Sequence, residues 1–152
     1  MRRHDREIID HTAIETIIKH AQVCRLGMID GDSPYIVPLN FGYRSGTFYF
    51  HSARQGRKIG ILAGGQRVCI EIDGGHQLVT APAACDWGMR YTSVIAFGRP
   101  RFIEETNAKR EALAVIMAQY AVDQTFDFPE NAITATAVFA VDVESMTAKQ
   151  KV

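Results

Sequence analysis

Ile14, Ile17, Ile18 and Ala21 recur at the spacing of one helical face, so the chain is expected to open with a helix over about Thr12 to Ala21. Thr12 and Glu15 form the T-x-x-E pattern of a capping box, in which each side chain satisfies a backbone amide of the first turn. The apolar period then shortens to that of a strand. Val23 to Ile29 reads as the first strand, closed by the turn Asp30-Gly31-Asp32, and Tyr35 to Tyr43 reads as the second. Pro38 has no amide to donate, so its position is an edge, a bulge or a ligand-facing gap in the ladder. Arg44-Ser45-Gly46 is a hairpin turn, and Thr47 to His51 returns antiparallel.

Gly56 to Leu62 suits a short helix stopped by Gly64-Gly65. RVCIEID, Arg67 to Asp73, is a strand closed by Gly74-Gly75, with Glu71 facing solvent or a partner charge. His76 to Ala83 is a further strand, and Ala84 to Arg90 is a loop carrying the only tryptophan, Trp87. Tyr91 to Ile103 is a long strand bent near Gly98 and Pro100. Asn107 to Ala121 is a second long helix with Leu113, Ile116, Met117 and Tyr120 on its buried side. Thr134 to Met146 closes the chain as a strand, with Phe139, Val141 and Val143 opposite Asp142 and Glu144. The hairpin-length joints imply antiparallel pairing. A small antiparallel barrel with helices packed on it fits this order, and the glycine-rich signatures of the common nucleotide folds are absent.

The 152 residues are enough for one domain, 1–152, with a real core, and no repeat or linker divides them. Seventeen basic and seventeen acidic side chains cancel, so no general attraction to nucleic acid or to an anionic membrane is expected. Anion recognition has to come from a local cluster. Cys24, Cys69 and Cys85 lack the paired spacing of a zinc or redox motif, and Cys24 and Cys69 lie in apolar runs that bury them. An odd cysteine count behind MRRHDREIID, which has no apolar signal core, favours a cytoplasmic protein. His4, His11, His20 and His76 are scattered and suggest no metal site.

The local cluster is in TFYFHSARQGRKIGIL, Thr47 to Leu62. An aromatic strand ends at His51-Ser52, and Arg54, Arg57 and Lys58 follow at once. Arg57 and Lys58 fall in the first turn of the expected helix, where the backbone dipole prefers acids. A bound phosphate would resolve that conflict by meeting the amides, the Ser52 hydroxyl and both cations. A solvated basic turn is the other reading. Val37 to Asn40 precedes this corner in a hairpin, with Asn40 among apolar neighbours. That surface suits a planar heteroaromatic ligand, or Asn40 is simply a bulge residue.

PYIVPLNFGY, YFHSARQGRKI, ACDWGMRYTSVIAFG and the closing VESMTAKQ resemble the nitroimidazole-resistance proteins, a branch of the pyridoxamine 5′-phosphate oxidase-like, FMN-binding split-barrel superfamily. The likeness runs from MRRHDREI to the last strand. It implies a mainly β (α+β) fold, a six-stranded antiparallel split β-barrel with flanking helices. It also implies a homodimer with FMN in two clefts at the interface. Carried over by position, the phosphate end is His51, Ser52, Arg57 and Lys58, and the ring edge lies along Val37, Pro38, Leu39 and Asn40. Trp87 resembles the aromatic that approaches the flavin from the partner subunit, and Arg90, Tyr91 and Ser93 complete the cleft wall. Trp87 also reads as a dimer-core anchor, Arg90 as a partner of Asp86 or a helix carboxylate, and His51 as a donor to a strand-end carbonyl.

The resemblance implies an FMN-dependent oxidoreductase, with NAD(P)H as a small-molecule electron donor and a nitroaromatic (5-nitroimidazole) as acceptor. No carboxylate pair or nucleophile triad stands out, which suits a cofactor carrying the bond chemistry. Two alternatives share the fold. One is a flavin-binding or storage protein without turnover, and the other binds haem or a deazaflavin instead.

Overall fold

The computed structural model describes residues 3–152; Met1 and Arg2, the first two positions of the N-terminal stretch read above, lie outside the described residues. A 3-10 turn, His4–Arg6, leads into β1 (Glu7–Ile8). Helix α1 (His11–His20) begins one residue earlier than its apolar spacing requires. Asp10 is its cap, accepting from the Thr12 amide at 3.0 Å, so the Thr12/Glu15 capping box is not what starts it. Ile14 and Ile18 are buried, as the pattern requires.

β2 (Cys24–Asp30) and β3 (Ser33–Leu39) form the first hairpin. β3 ends at Leu39, and a separate short strand, β4 (Gly42–Arg44), takes up the rest of the expected second strand. Ser45 and Gly46 both have positive φ, 50° and 79°, making the two-residue turn into β5 (Thr47–Ala53). α2 (Arg57–Ala63) follows and ends at Gly64-Gly65, where Gly65 takes φ +66°. β6 (Val68–Val79) joins what the sequence suggested as two strands. The Gly74-Gly75 pair is a bulge inside it, not its end.

β7 (Gly88–Ile103) starts three residues before the expected Tyr91, leaving only the 3-10 turn Ala84–Asp86 and Trp87 in the loop. Its register shifts between Phe97 and Gly98, where an added Cβ would strike the Asp142 carbonyl. α3 (Thr106–Ala118) buries Lys109, Ala112, Val115 and Ile116; Leu113 and Met117 are only half-buried, and Tyr120 lies beyond the helix. Thr134 and Ala135 belong to a further helix, α4 (Glu130–Ala135), and the closing strand β8 runs Thr136–Lys151, five residues past Met146.

All strand pairs are antiparallel, in the order β3-β2-β6-β7-β8-β5-β4, with β1 beside β8. Among the described residues six strands are long, matching the expected six, and the short β1 and β4 bring the sheet to eight. β3 and β4 stand at opposite ends of this order, yet only Asn40 and Phe41 separate them in the chain. The sheet therefore curls round on itself without a ladder across the join. At that seam the Phe41 amide donates to the Tyr120 hydroxyl at 3.0 Å, and that hydroxyl donates to the Gln22 carbonyl at 2.8 Å. Pro38 sits on a terminal strand, where its missing amide costs no ladder bond.

The curl encloses Leu26, Ile70, Val94, Phe48, Phe50 and Phe139, with Ile14 and Ile18 of α1 packed against them. Phe50 and Phe139 stack at 4.9 Å between centroids. α3 covers the opposite face of β5, β8 and β7, over Ile103, Val138 and Ala140. Among the described residues no helix is long and apolar enough to cross a membrane.

Candidate functional site at the barrel seam

Alternation along β5 sets the corner. Phe48 and Phe50 point into the barrel, and Ser52 lies on the same face, half-buried. His51 lies on the other face, across from Val138. Gly56, at φ +127°, turns the chain into α2, a conformation that side-chain-bearing residues rarely adopt. Among the described residues no side chain caps α2, so its first amides have no side-chain partner there.

The three cations are not equivalent. Arg54 donates to the Thr134 carbonyl at 3.1 Å. Arg57 donates its Nε–H to Asp30 Oδ2 at 2.7 Å, and its guanidinium lies 4.3 Å over the Tyr35 ring. Lys58 is half-buried, has no ion pair among the described residues, and has its pKa lowered by that burial. His51 is exposed as a whole residue, yet its ring is crowded. Burial, and then the Lys58 charge, push its pKa below the usual histidine value, so it is neutral at pH 7. No side-chain hydrogen bond ties His51 to a carbonyl among the described residues, so the expected structural role does not account for it.

Arg57 joins this corner to β3. Tyr35, Val37 and Leu39 pack partly against the barrel core, while Pro38 and Asn40 are exposed. Val37, Pro38 and Leu39 pair with Leu26, Arg25 and Cys24 of β2, and the other edge of β3 faces the seam. From Tyr35 to Leu39 the strand extends about 13 Å. An elongated ligand could meet cations at one end and backbone edge at the other.

Trp87, Arg90, Tyr91 and Ser93 form a second group. Past the bulge, β6 and β7 pair alone as Gln77↔Arg90, Leu78↔Met89 and Val79↔Gly88, because β8 reaches only to Tyr91↔Lys151. On this two-stranded arm Leu78, Met89 and Trp87 are 56%, 41% and 51% exposed. The Trp87 indole donates to the Ala81 carbonyl at 2.7 Å. Arg90 makes no ion pair among the described residues, so it pairs neither with Asp86 nor with a helix carboxylate there. Tyr91 is half-buried, with Lys149 Nζ 6.0 Å from its ring centroid. Ser93 lines an outer-face pocket of about 340 Å³ with Ile95 and Thr147. Within one chain no hydrogen bond or ion pair among the described residues links this group to the corner.

Some neighbours escaped the sequence reading. Asp30 was legible only as a turn residue and Tyr35 only as a strand residue, yet both hold Arg57. Glu71 does meet a partner charge, Arg25 at 3.2 Å. The same guanidinium pairs with Asp73, which also holds His76 Nε2 at 2.8 Å. The cysteines are free. Cys24 is buried, its thiol pushed up to about 12; Cys69 is half-buried and Cys85 exposed. No group of three or more metal-ligating side chains occurs among the described residues.

The pyridoxamine 5′-phosphate oxidase family profile matches residues 10–150. A crystal structure from Bacteroides thetaiotaomicron, provisionally named a 5-nitroimidazole antibiotic resistance protein, is 39% identical with a TM-score of 0.85; the alignment covers 95% of this chain and 86% of that one. The flavocytochrome Anf3 of Azotobacter vinelandii is 21% identical with a TM-score of 0.86, covering 100% of this chain and 72% of that one. An FAD- and haem-binding protein from Mycobacterium smegmatis is 16% identical with a TM-score of 0.87, covering 96% and 73%. At those lower identities the likeness concerns the fold. No curated protein matches significantly.

Proposed function

The chain belongs to the pyridoxamine 5′-phosphate oxidase family, in its nitroimidazole-resistance branch, and from that premise we propose that it binds FMN and acts as an FMN-dependent oxidoreductase on small nitroaromatic acceptors. The observation that carries this reading is Lys58. It is a half-buried ammonium with no counter-ion among the described residues, next to an arginine with only its Nε–H committed. A partly desolvated charge is costly until an anion meets it. The terminal N–H groups of Arg57 remain for phosphate oxygens, with Asp30 and Tyr35 fixing their direction.

The residues present fit the cofactor. The corner offers cations, the Ser52 hydroxyl and uncapped amides. The terminal strand β3 offers main-chain groups from Val37 to Asn40 along an edge with no neighbouring strand. FMN, when bound, supplies the electron transfer, and the chain supplies binding, orientation and electrostatics. Arg57 and Lys58 balance the phosphate charge. Neutral His51 would offer one ring N–H beside it rather than adding charge. Trp87, Arg90, Tyr91 and Ser93 come from a second copy, whose arm closes each cleft against water. A homodimer is thus part of the proposal.

Reduction of an aromatic nitro group to the amine takes three hydride equivalents and matching protons, and releases water. NAD(P)H is the hydride source in this reading, visiting the cleft in turn with the acceptor. The deciding experiment is the absorption spectrum of the protein as isolated, with mass spectrometry of the released ligand. Flavin bands and an FMN mass support the reading, and a colourless protein that takes up no FMN overturns it. Because a flavocytochrome and an FAD- and haem-binding protein share this fold, the same data separate the other occupants: a Soret band reports haem, and the released mass separates FMN from FAD. Bleaching of bound flavin by NAD(P)H distinguishes an enzyme from a carrier.

A further inference from the structure

Away from the seam, a groove of about 620 Å³ runs between the C-terminal end of α1, the short strand β4 and the last turns of α3. That size is typical of small-molecule sites. Tyr43, Val115 and Val122 give it an apolar lining, and Val122 is 81% exposed. Ala114 and Ala118 leave its α3 wall low. The wall is firmly seated, because β4 lies so close to α3 that a Cβ on Gly42 would sit 2.6 Å from the Ile116 backbone.

The charges on this groove all have one sign. Lys19 and Arg44 line it, with the His20 ring beside them, and among the described residues no carboxylate does. Neither Lys19 nor Arg44 has an ion pair among the described residues. Glu15 and Glu111 stand one turn away along α1 and α3, outside the lining, and of the two the Glu15 charge reaches Tyr43, whose hydroxyl pKa is raised by burial first and by Glu15 second. The cations are also not needed to finish α1. The two N–H donors of the Gln119 amide are shared among carbonyls at this end, 2.9 Å from Ile18, 3.2 Å from Lys19 and 3.0 Å from Ala21, just past the helix. His20 donates Nδ1–H to the Thr16 carbonyl at 2.7 Å, which leaves Nε2 as the free ring nitrogen. Other polar cavities differ on this point. The 510 Å³ cleft beside Arg25 includes its partner Asp73, and the 210 Å³ pocket at Arg54 and Lys109 includes Glu104.

We propose that this groove binds a small amphipathic monocarboxylate, its apolar body on Tyr43, Val115 and Val122 and its carboxylate between Lys19 and Arg44. An apolar lining with two cations on its rim is complementary to a ligand that has an apolar body and one anionic end, and disfavours a cationic one. The site is separate from the flavin corner, so each can fail without the other.

The test is calorimetric titration of the full-length protein with decanoate, with decanol and decyltrimethylammonium as controls. Decanoate is expected to bind one per chain. The double variant Lys19→Ala/Arg44→Ala weakens it about tenfold or more. Ala118→Trp, at an exposed position that keeps the fold, fills the groove and abolishes binding. Arg57→Ala/Lys58→Ala leaves it unchanged. Absence of decanoate binding, equal binding of the decyl cation, or binding indifferent to both groove substitutions overturns the proposal. Thermal unfolding of each variant establishes that it is folded.

Discussion

Arg57 and Asp30 are 27 positions apart, yet the Nε–H of the first residue of α2 donates at 2.7 Å to a carboxylate on the last residue of β2. Both side chains keep about half their surface in water, so the pair adds little to stability, under about 1 kcal/mol. Its consequence is directional: it aims the free end of Arg57 along the mouth of the barrel, beside Lys58. Replacing both cations, Arg57→Ala/Lys58→Ala, is expected to weaken FMN binding by about a hundredfold or more, since each charge-assisted bond contributes about 1.5–3 kcal/mol. Riboflavin, which lacks the phosphate, should lose less than about threefold. Fluorescence titration with both ligands measures the difference, and equal losses would remove the corner from the phosphate site.

His51 gives a pH-dependent expectation. Burial first and the Lys58 charge second disfavour its protonated form, so its folded pKa lies below 6.5. In the unfolded chain the ring takes a proton near 6.5. Between those two values the unfolded state binds more protons, so this contribution to stability is complete above about 6.5 and is lost as pH falls through that window. Proton NMR should show His51 titrating below the ordinary value, and Lys58→Ala should raise its midpoint part of the way back. An unmoved midpoint in Lys58→Ala would mean that the two side chains do not interact.

Much of this architecture was legible from periodicity. The β2–β3 and β4–β5 hairpins, the break after Gly64 and the bend at Gly98 all follow from residues whose backbone preferences have few solutions. The misreadings have physical causes. Asp10 and Thr12 are both good caps, and local sequence alone does not rank two caps two residues apart. Gly74-Gly75 looks the same as a turn or as a bulge, because both need φ > 0 at a glycine; continued pairing of Gln77 with Arg90 decides it. Val138 and Ala140 face α3 while Phe139 and Val141 face the barrel, so β8 is buried on both sides and alternation understates its length. At the site, charge clustering exposed Arg57 and Lys58, but Asp30 and Tyr35 reach them only through the curl of the sheet.

Two glycine substitutions should behave oppositely. Gly42→Ala puts a methyl 2.6 Å from the backbone of Ile116, forcing β4 away from α3. The expected cost is about 1–3 kcal/mol. Gly60 lies inside α2 with nothing within 4 Å of an added Cβ, so Gly60→Ala should be neutral or stabilise by up to about 1 kcal/mol. Urea unfolding of both variants checks the pair. A tolerated Gly42→Ala would mean that the strand–helix contact can relax, and the groove beside it would then not be firmly seated.

The arm supplies the last expectation. A two-stranded ribbon is marginal in water by itself, and this one exposes Leu78, Met89 and Trp87 beyond the point where β8 ends. Leu78 and Met89 are directly paired, so they lie on one face. Apolar side chains concentrated on a projecting ribbon are stabilised by cover from another surface, and in the proposed dimer that surface is the second copy. Leu78→Glu/Met89→Glu introduces like charges there and should shift sedimentation from dimer to monomer, while the barrel's circular dichroism stays folded. Trp87→Ala should loosen the dimer or change the fluorescence of bound flavin, because the indole is anchored only to the arm's own Ala81 carbonyl and its remaining surface is free to contact a partner. A wild-type protein that sediments as a monomer at every concentration, with flavin bound, would leave the arm without a partner and place the whole cleft within one chain.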